Sequence, residues 1–387
     1  VMDFELWYLV FVPLLFAAGW WFRGLDARQR RMETHGLDEN YFKGLSLLIS
    51  DKPEKAIDHF MEVMRLDSET IELHHSLGNL FRERGQFDQA IRIHTNLVNR
   101  AELPDSERML ALSELAQDFV KAGTFDRAQS AYEMLRDSSP ERREEALAAL
   151  MRIFMTEKDW AKAIETAEIR RREFKTDLSH EVSHFYCEMA AASRRAGDAA
   201  RTAELIDKAL HVNPKNVRAL IMAADAALAS GDTAVAQDKW SRIETEAPKY
   251  TPLIAAKKAD VLAATDPKAA LEYLKDVFAR TGSADVLSAT ETRLNTWENA
   301  AAAGDVAVAA FKQRPSMSAF AVLCGVKKQQ EPENEEAALL ADLTAKQSKR
   351  SGRYQCRKCG FLSHTFMWQC PGCETWDAFP PQRIEEG

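Results

Sequence analysis

The chain has 387 residues, more than one ordinary domain of about 150 residues needs. Its 16 glycines and 13 prolines are few, and 46% hydrophobic with 28% charged residues disfavour a disordered or loop-rich all-β protein and suit a helical one. The formal charge of −8, from 51 basic and 59 acidic side chains, gives no global attraction to nucleic acid or anionic lipid, so no nucleic-acid partner is expected. Six cysteines in so long a chain do not make a small secreted disulfide scaffold, and four of them fall within residues 356–373.

Leu6 to Phe22 is an unbroken run without a charge. As a helix it would span roughly 25 Å, the short end for a bilayer crossing. Trp7 and Tyr8 at one edge, and Trp20 and Trp21 at the other, occupy the interfacial positions favoured by amphipathic rings. Asp3 and Glu5 precede the run and Arg23, Arg28, Arg30 and Arg31 follow it. A cleaved secretory signal needs a basic flank before its apolar stretch, and here that flank is acidic. Residues 1–22 are therefore expected to form a single-pass transmembrane anchor and residues 23–36 a basic juxtamembrane segment. The positive-inside rule then leaves the bulk of the chain facing the cytoplasm.

One element next recurs along the chain: a glycine or polar stop, a polar residue, often an aromatic, and a small residue five places after the stop. It reads Asp51 to Ala56, Gly85-Gln86-Phe87-Asp88-Gln89-Ala90, Gly123-Thr124-Phe125-Asp126-Arg127-Ala128, Lys158-Asp159-Trp160-Ala161-Lys162-Ala163, then Gly197 to Thr202, Gly231 to Ala236 and Thr265 to Ala270. The stops recur at a period of about 34 residues, the length of a tetratricopeptide hairpin, with two longer intervals, from Gly85 to Gly123 and from Lys158 to Gly197. A glycine ends the first helix of a hairpin in the left-handed region, and the small residue lets two helices cross closely. Pro140, Pro214 and Pro248 stand equally far beyond the stops Gly123, Gly197 and Gly231, where the second helix must end. Because that half of the repeat is constant, the extra residues of the longer repeats belong to the connection or first helix of the following unit. Leu77-Gly78 with Phe81, and Leu115-Ala116 with Phe119, supply matching first-helix positions. Over about residues 37–280 the chain resembles the tetratricopeptide-repeat family. The expected fold class is thus all-α, a superhelix of about 7–9 helical hairpins. The array is expected over 37–283, with a divergent repeat and capping helices over 284–326. Such an array is a binding surface.

The array contains no HExxH, Gly-rich phosphate loop or GxSxG, so no enzyme is expected. Its histidines, His59, His74, His75, His94, His180, His184 and His211, read as structural or surface groups without ligand spacing. Cys187 and Cys324 lack CxxC partners and read as buried small apolar side chains. Arg170-Arg171-Arg172, with Arg194-Arg195, reads as a solvated helix face.

After Val326 the composition turns polar, Lys327 to Glu336, and is expected to form a connector, followed by a helix from about Glu336 to Lys349. Residues 327–352 are this linker and helix. A compact element over 353–381 follows, with Cys356-Arg-Lys-Cys359 and Cys370-Pro-Gly-Cys373 separated by ten residues. Two such turns place four thiolates, Cys356, Cys359, Cys370 and Cys373, tetrahedrally around one ion, iron or zinc. The reducing cytoplasmic side and the lack of a thioredoxin-like βαβ pattern argue against a disulfide or redox pair. His364 reads as surface or as a neighbour of the ligands. About 30 residues cannot bury a sufficient core unaided, so the ion should supply much of the folding free energy. Tyr354, Phe361, Phe366, Trp368, Trp376 and Phe379 are many aromatics for such a patch, and several are expected to pack on the repeats.

The span resembles a rubredoxin-type metal domain, although its ten-residue gap is much shorter than in electron-transfer rubredoxins and Glu374 stands where a glycine is usual. The order of anchor, basic collar, repeat array and YxCxxCGF…WxCPxCxxW knuckles resembles the lipopolysaccharide assembly protein B family of Gram-negative bacteria across essentially the whole chain. That resemblance implies an inner-membrane adaptor controlling lipopolysaccharide synthesis. It also implies partners: an FtsH-type membrane protease, the LpxC deacetylase it degrades, and other lipopolysaccharide assembly or transport proteins. The alternatives are a rubredoxin-type electron-transfer protein with the repeats as docking module, or a general envelope-assembly scaffold.

Overall fold

The computed structural model describes residues 71–384 apart from 102, 298–299 and 352, together with a few positions between 42 and 59. The expected anchor at 1–22 and collar at 23–36 lie outside the described residues, as does most of the first repeat stop. No helix among the described residues is long and apolar enough to cross a membrane. The chain divides into two compact units, Val1–Ile153 and Phe154–Gly387.

In the first unit, α1 (Ile71–Glu83) pairs with α2 (Phe87–Val98), and α3 (Asp105–Lys121) with α4 (Phe125–Ser138). The next helix, α5 (Arg143–Glu157), straddles the division. The second unit continues with α6 (Trp160–Phe174), α7 (Ser179–Arg195), α8 (Ala199–Val212), α9 (Val217–Ala229) and α10 (Thr233–Glu246). A short 3-10 turn (Pro248–Tyr250) leads to α11 (Pro252–Ala263) and α12 (Pro267–Thr281). The last helices are α13 (Ala284–Trp297), α14 (Ala300–Gln313), α15 (Met317–Gln330) and α16 (Glu335–Ser351). Within each unit, apart from α5, consecutive helices pack as tetratricopeptide-type hairpins.

Each position of the recurring element has its physical reason. Gly85, Gly123, Gly197 and Gly231 all have φ between 74° and 83°, the left-handed turn that stops a first helix. Behind each, the next N–H reaches back to the carbonyl five residues earlier, as from Gln86 to Phe81 at 2.9 Å and from Asp232 to Ala227 at 2.9 Å. These bonds satisfy carbonyls that a helix end leaves orphaned. Lys158 adopts the same conformation, φ 61°, without being a glycine. Where the polar second residue is aspartate it caps the second helix: Asp159, Asp198 and Asp232 accept from the N–H groups of Lys162, Arg201 and Val235, each cap being worth about 1 kcal/mol, whereas the Gln86 and Thr124 side chains make no such bond. The small residue is wholly buried as Ala56, Ala90, Ala128, Ala163, Ala236 and Ala270, and nearly so as Thr202. At these crossings a larger side chain would force the helices apart.

The second helices α4, α8 and α10 end two residues before Pro140, Pro214 and Pro248. The longer repeats carry their extra residues in the first helix, for α3 and α7 have 17 residues where α9 has 13, about one turn more. The helix α15 runs through Gln330, so Lys327–Gln330 are helical although their polar composition suggested connector, and the chain turns at residues 331–334. After α16 come two short antiparallel strands, β1 (Tyr354–Gln355) and β2 (Leu362–Ser363), with Tyr354 opposite Ser363.

Candidate metal centre and its seat on the repeats

The two CxxC turns have nearly the same backbone. In the first, the Cys356 N–H donates to Phe361 O at 2.9 Å and the Gly360 N–H to Cys356 O at 2.9 Å. In the second, the Cys370 N–H donates to Thr375 O at 3.0 Å and the Glu374 N–H to Cys370 O at 2.8 Å. The tight return needs a left-handed residue at the fourth position after the first cysteine. Gly360 supplies φ 78° and Glu374 supplies φ 57°, so the glutamate keeps the turn at a conformational cost.

This geometry aims backbone N–H groups at sulfur. Lys358 and Cys359 donate to the Cys356 sulfur, Phe361 to Cys359, Gly372 and Cys373 to Cys370, and Thr375 to Cys373. The Thr375 hydroxyl, 3.5 Å from Cys373 Sγ, and the Thr375 N–H draw the Cys373 thiol down to about 6, whereas burial pushes Cys370 up to about 12.

Cys356 Sγ lies 3.7 Å from Cys373 Sγ, and Cys359 Sγ 3.5 Å from Cys370 Sγ. All four sulfur atoms fall within 4.8 Å of one another. Four thiolates about 2.3 Å from one ion stand about 3.8 Å apart along a tetrahedral edge, so the donor set fits one soft or borderline cation. Four thiolates this close would repel without it. The four cysteines are thus positioned to bind one metal ion. Cys356 and Cys370 are buried and Cys359 is exposed, which leaves one edge of the centre facing solvent. His364 is exposed and is not among the grouped donor side chains.

The knuckle element is seated on the second unit through its aromatics. Trp368 stacks on Tyr250 with ring centroids 5.8 Å apart, and Phe366 and Trp368 cover a core that contains Trp240, Ile243 and Ile254. Trp376 stacks on His184 and meets Trp160 and Phe185 edge-on. Polar contacts extend the seat: the Tyr354 hydroxyl donates to Asp285 at 3.2 Å, Arg383 Nη2 to Asp285 at 2.6 Å, and Gln382 Nε2 to Thr281 O at 2.7 Å. Phe379 is buried inside the knuckle element, whereas Phe361 stays exposed.

The sequence predicts no ligand spacing among the array histidines, but the structure groups two of them with a carboxylate. His180 and His184, one turn apart on α7, both place Nε2 beside Oδ2 of Asp377, at 2.9 and 3.1 Å. The i, i+4 spacing was the available signal; the aspartate lies 193 residues away from His184. The hydrogen bond that His180 donates to Asp377 raises His180, and burial lowers His184. Burial would raise Asp377, but the two histidines outweigh it and hold the carboxyl well below its usual range. His74 Nε2 lies 2.7 Å from the Arg100 guanidinium. Cys187 and Cys324 are buried, and burial pushes the Cys187 thiol up to about 12. Arg171 and Arg172 are exposed, as expected of a solvated face.

The second unit also carries an apolar hollow of about 550 Å³ between α7, α8 and α9, lined by Thr202, Ile206, Met222 and Ala226, with Arg194 and Asp225 bearing its charges.

Residues 354–381 match a family described as a rubredoxin metal binding domain, and residues 73–108 match the tetratricopeptide repeat. Lipopolysaccharide assembly protein B of Escherichia coli strain K12 is 30% identical over 390 residues, covering 99% of each chain. The protein of that name from Haemophilus influenzae is 28% identical over 399 residues, again covering 99% of each. With these repeats, these knuckles and this full-length likeness, the chain belongs to the lipopolysaccharide assembly protein B family.

Proposed function

We propose that the protein is a non-enzymatic adaptor of lipopolysaccharide assembly, which holds a client on its helical repeats and presents it to a membrane-bound protease. The observation that carries this reading is the likeness, over 99% of each chain, to proteins named for lipopolysaccharide assembly. The client is the LpxC deacetylase, the protease is of the FtsH type, and other assembly or transport proteins share the platform. The apolar run at Leu6–Phe22 anchors the chain in the inner membrane with its bulk in the cytoplasm, which raises the effective concentration of adaptor around a membrane protease. The hollow at Ile206 and Met222 offers apolar surface for a client segment.

Cys356, Cys359, Cys370 and Cys373 hold one ion, zinc or iron. When bound, the ion supplies a closed four-thiolate crosslink with no open coordination position, which suits a structural role. The chain's own residues do the rest: the N–H groups of both turns spread the thiolate charge, and Trp368 and Trp376 fix the knuckles on the repeats.

The test is to delete residues 1–22 and follow LpxC half-life in cells beside client binding by the purified protein. The expected result is intact client binding with no accelerated turnover. Normal turnover with the soluble form overturns the anchored-adaptor reading.

A further inference from the structure

We infer that His180, His184 and Asp377 form a second metal site, for one divalent ion of the zinc class, at the joint between the repeat helices and the knuckle element. The three donor atoms lie within 4.8 Å of one another, a grouping separate from the four cysteines. Two imidazole nitrogens and a carboxylate oxygen, each about 2.0–2.2 Å from an ion, stand about 3.4 Å apart at tetrahedral angles. The observed separations of 2.9 and 3.1 Å from Asp377 Oδ2 to the two Nε2 atoms need to open by only a few tenths of an ångström.

The donors are held in place. His184, with a fully buried side chain, lies flat on Trp376, their centroids 4.6 Å apart. His180 stands edge-on to His184 at 5.0 Å. Asp377 is fixed in the left-handed region, φ 53°, and its N–H donates to Trp368 O at 2.7 Å. A non-glycine residue kept in that region at a cluster of donors is strain concentrated at one point. The second carboxylate oxygen of Asp377, Oδ1, is buried and has no hydrogen-bond partner among the described residues, so it remains available to an ion. His180 is 46% exposed, which provides the entry path and an open position for water or for a group from a bound partner. Two nitrogens with one carboxylate oxygen favour zinc, cobalt or nickel over the hard cations calcium and magnesium. Unlike the four-thiolate centre, this site is open.

The inference stands independently of the proposed adaptor role. The full-length protein, purified with its knuckle ion in place, is titrated with Co²⁺, and bound metal is counted by elemental analysis after desalting. The expected result is a second equivalent that shows cobalt d–d bands in the visible without near-ultraviolet thiolate-to-cobalt charge transfer. His180→Ala, a change at a half-exposed position, and Asp377→Asn, which keeps the side-chain shape, should each weaken that equivalent by at least the roughly 10–100-fold seen when metal-supporting groups are removed, with the first equivalent retained. A stoichiometry of one in the wild-type protein under cobalt excess overturns the site. So does a second equivalent that persists unchanged in both variants.

Discussion

His184 lies face to face on Trp376, with ring centroids 4.6 Å apart and planes within 12°. One helix of the repeats and the last turn of the knuckle element are therefore joined ring to ring, with Phe185 of the same helix edge-on to Trp376. Trp376 is 5% exposed, and removing so large a buried ring typically costs about 3–5 kcal/mol. In Trp376→Ala that loss should appear as weakened docking, with faster amide exchange across 354–384 and new proteolysis near Arg353. Phe361→Ala, at a 40% exposed ring, should change neither. Equal protection in the two variants would refute the seat.

In the first unit, Gly78 on α1 faces the ring of His94 so closely that an added Cβ would overlap it. The ring cannot swing away, because it is buried and its Nδ1 is bonded to Asp118, itself paired with Arg82 at 3.0 Å. An alanine normally improves a helix by about 1 kcal/mol over glycine. Gly78→Ala should instead destabilise the protein by about 1–3 kcal/mol, the usual cost of overpacking. Urea unfolding checks the sign, and a stabilised variant would contradict the contact.

Lys158 makes the left-handed stop that glycine makes in four other repeats, at φ 61°. A side chain there costs about 1–2 kcal/mol that glycine avoids. Part of that gain is returned through the greater freedom of glycine in the unfolded chain. Lys158→Gly is expected to raise stability by about 1 kcal/mol and the melting temperature by about 2–4 °C. A calorimetric scan showing a lower melting temperature would mean that the Lys158 side chain does something the turn geometry does not reveal.

These features were legible in the sequence to the extent that they are local. The stop glycines, the aspartate caps and the buried alanines recur in most repeats because each hairpin solves the same crossing problem, and the CxxC turns announce their ligands by spacing alone. The seat of the knuckles was not legible in this way. Asp285 with Arg383, or His184 with Asp377, join positions 98 and 193 residues apart, and no periodicity links a helix of the repeats to a turn of the metal element. Composition also misplaced the end of α15, because Lys327–Gln330 is polar yet still completes a helix that is buried at Cys324 and Val326.

Removing one ligand separates the knuckle ion's role from packing. Cys370 is fully buried and accepts N–H groups from Gly372 and Cys373, so Cys370→Ser replaces a charged sulfur ligand by a hydroxyl without emptying the site. Bound metal should fall below one equivalent, and residues 354–381 should lose protection from exchange, since an element this small depends on its ion to fold. Protons compete with the metal for every thiolate, so metal loss to a chelator should accelerate as pH falls from 8 to 6 in the wild-type protein. Thiol labelling reports the same event with an internal control. Cys359 and Cys373, on the exposed edge, should label once the ion is gone. Cys187, buried in the core with its thiol pushed up to about 12, carries almost no thiolate at pH 8 and should stay unlabelled. Rapid labelling of Cys187 would mean that the second unit opens when the ion leaves, and full metal content in Cys370→Ser would refute the ligand assignment.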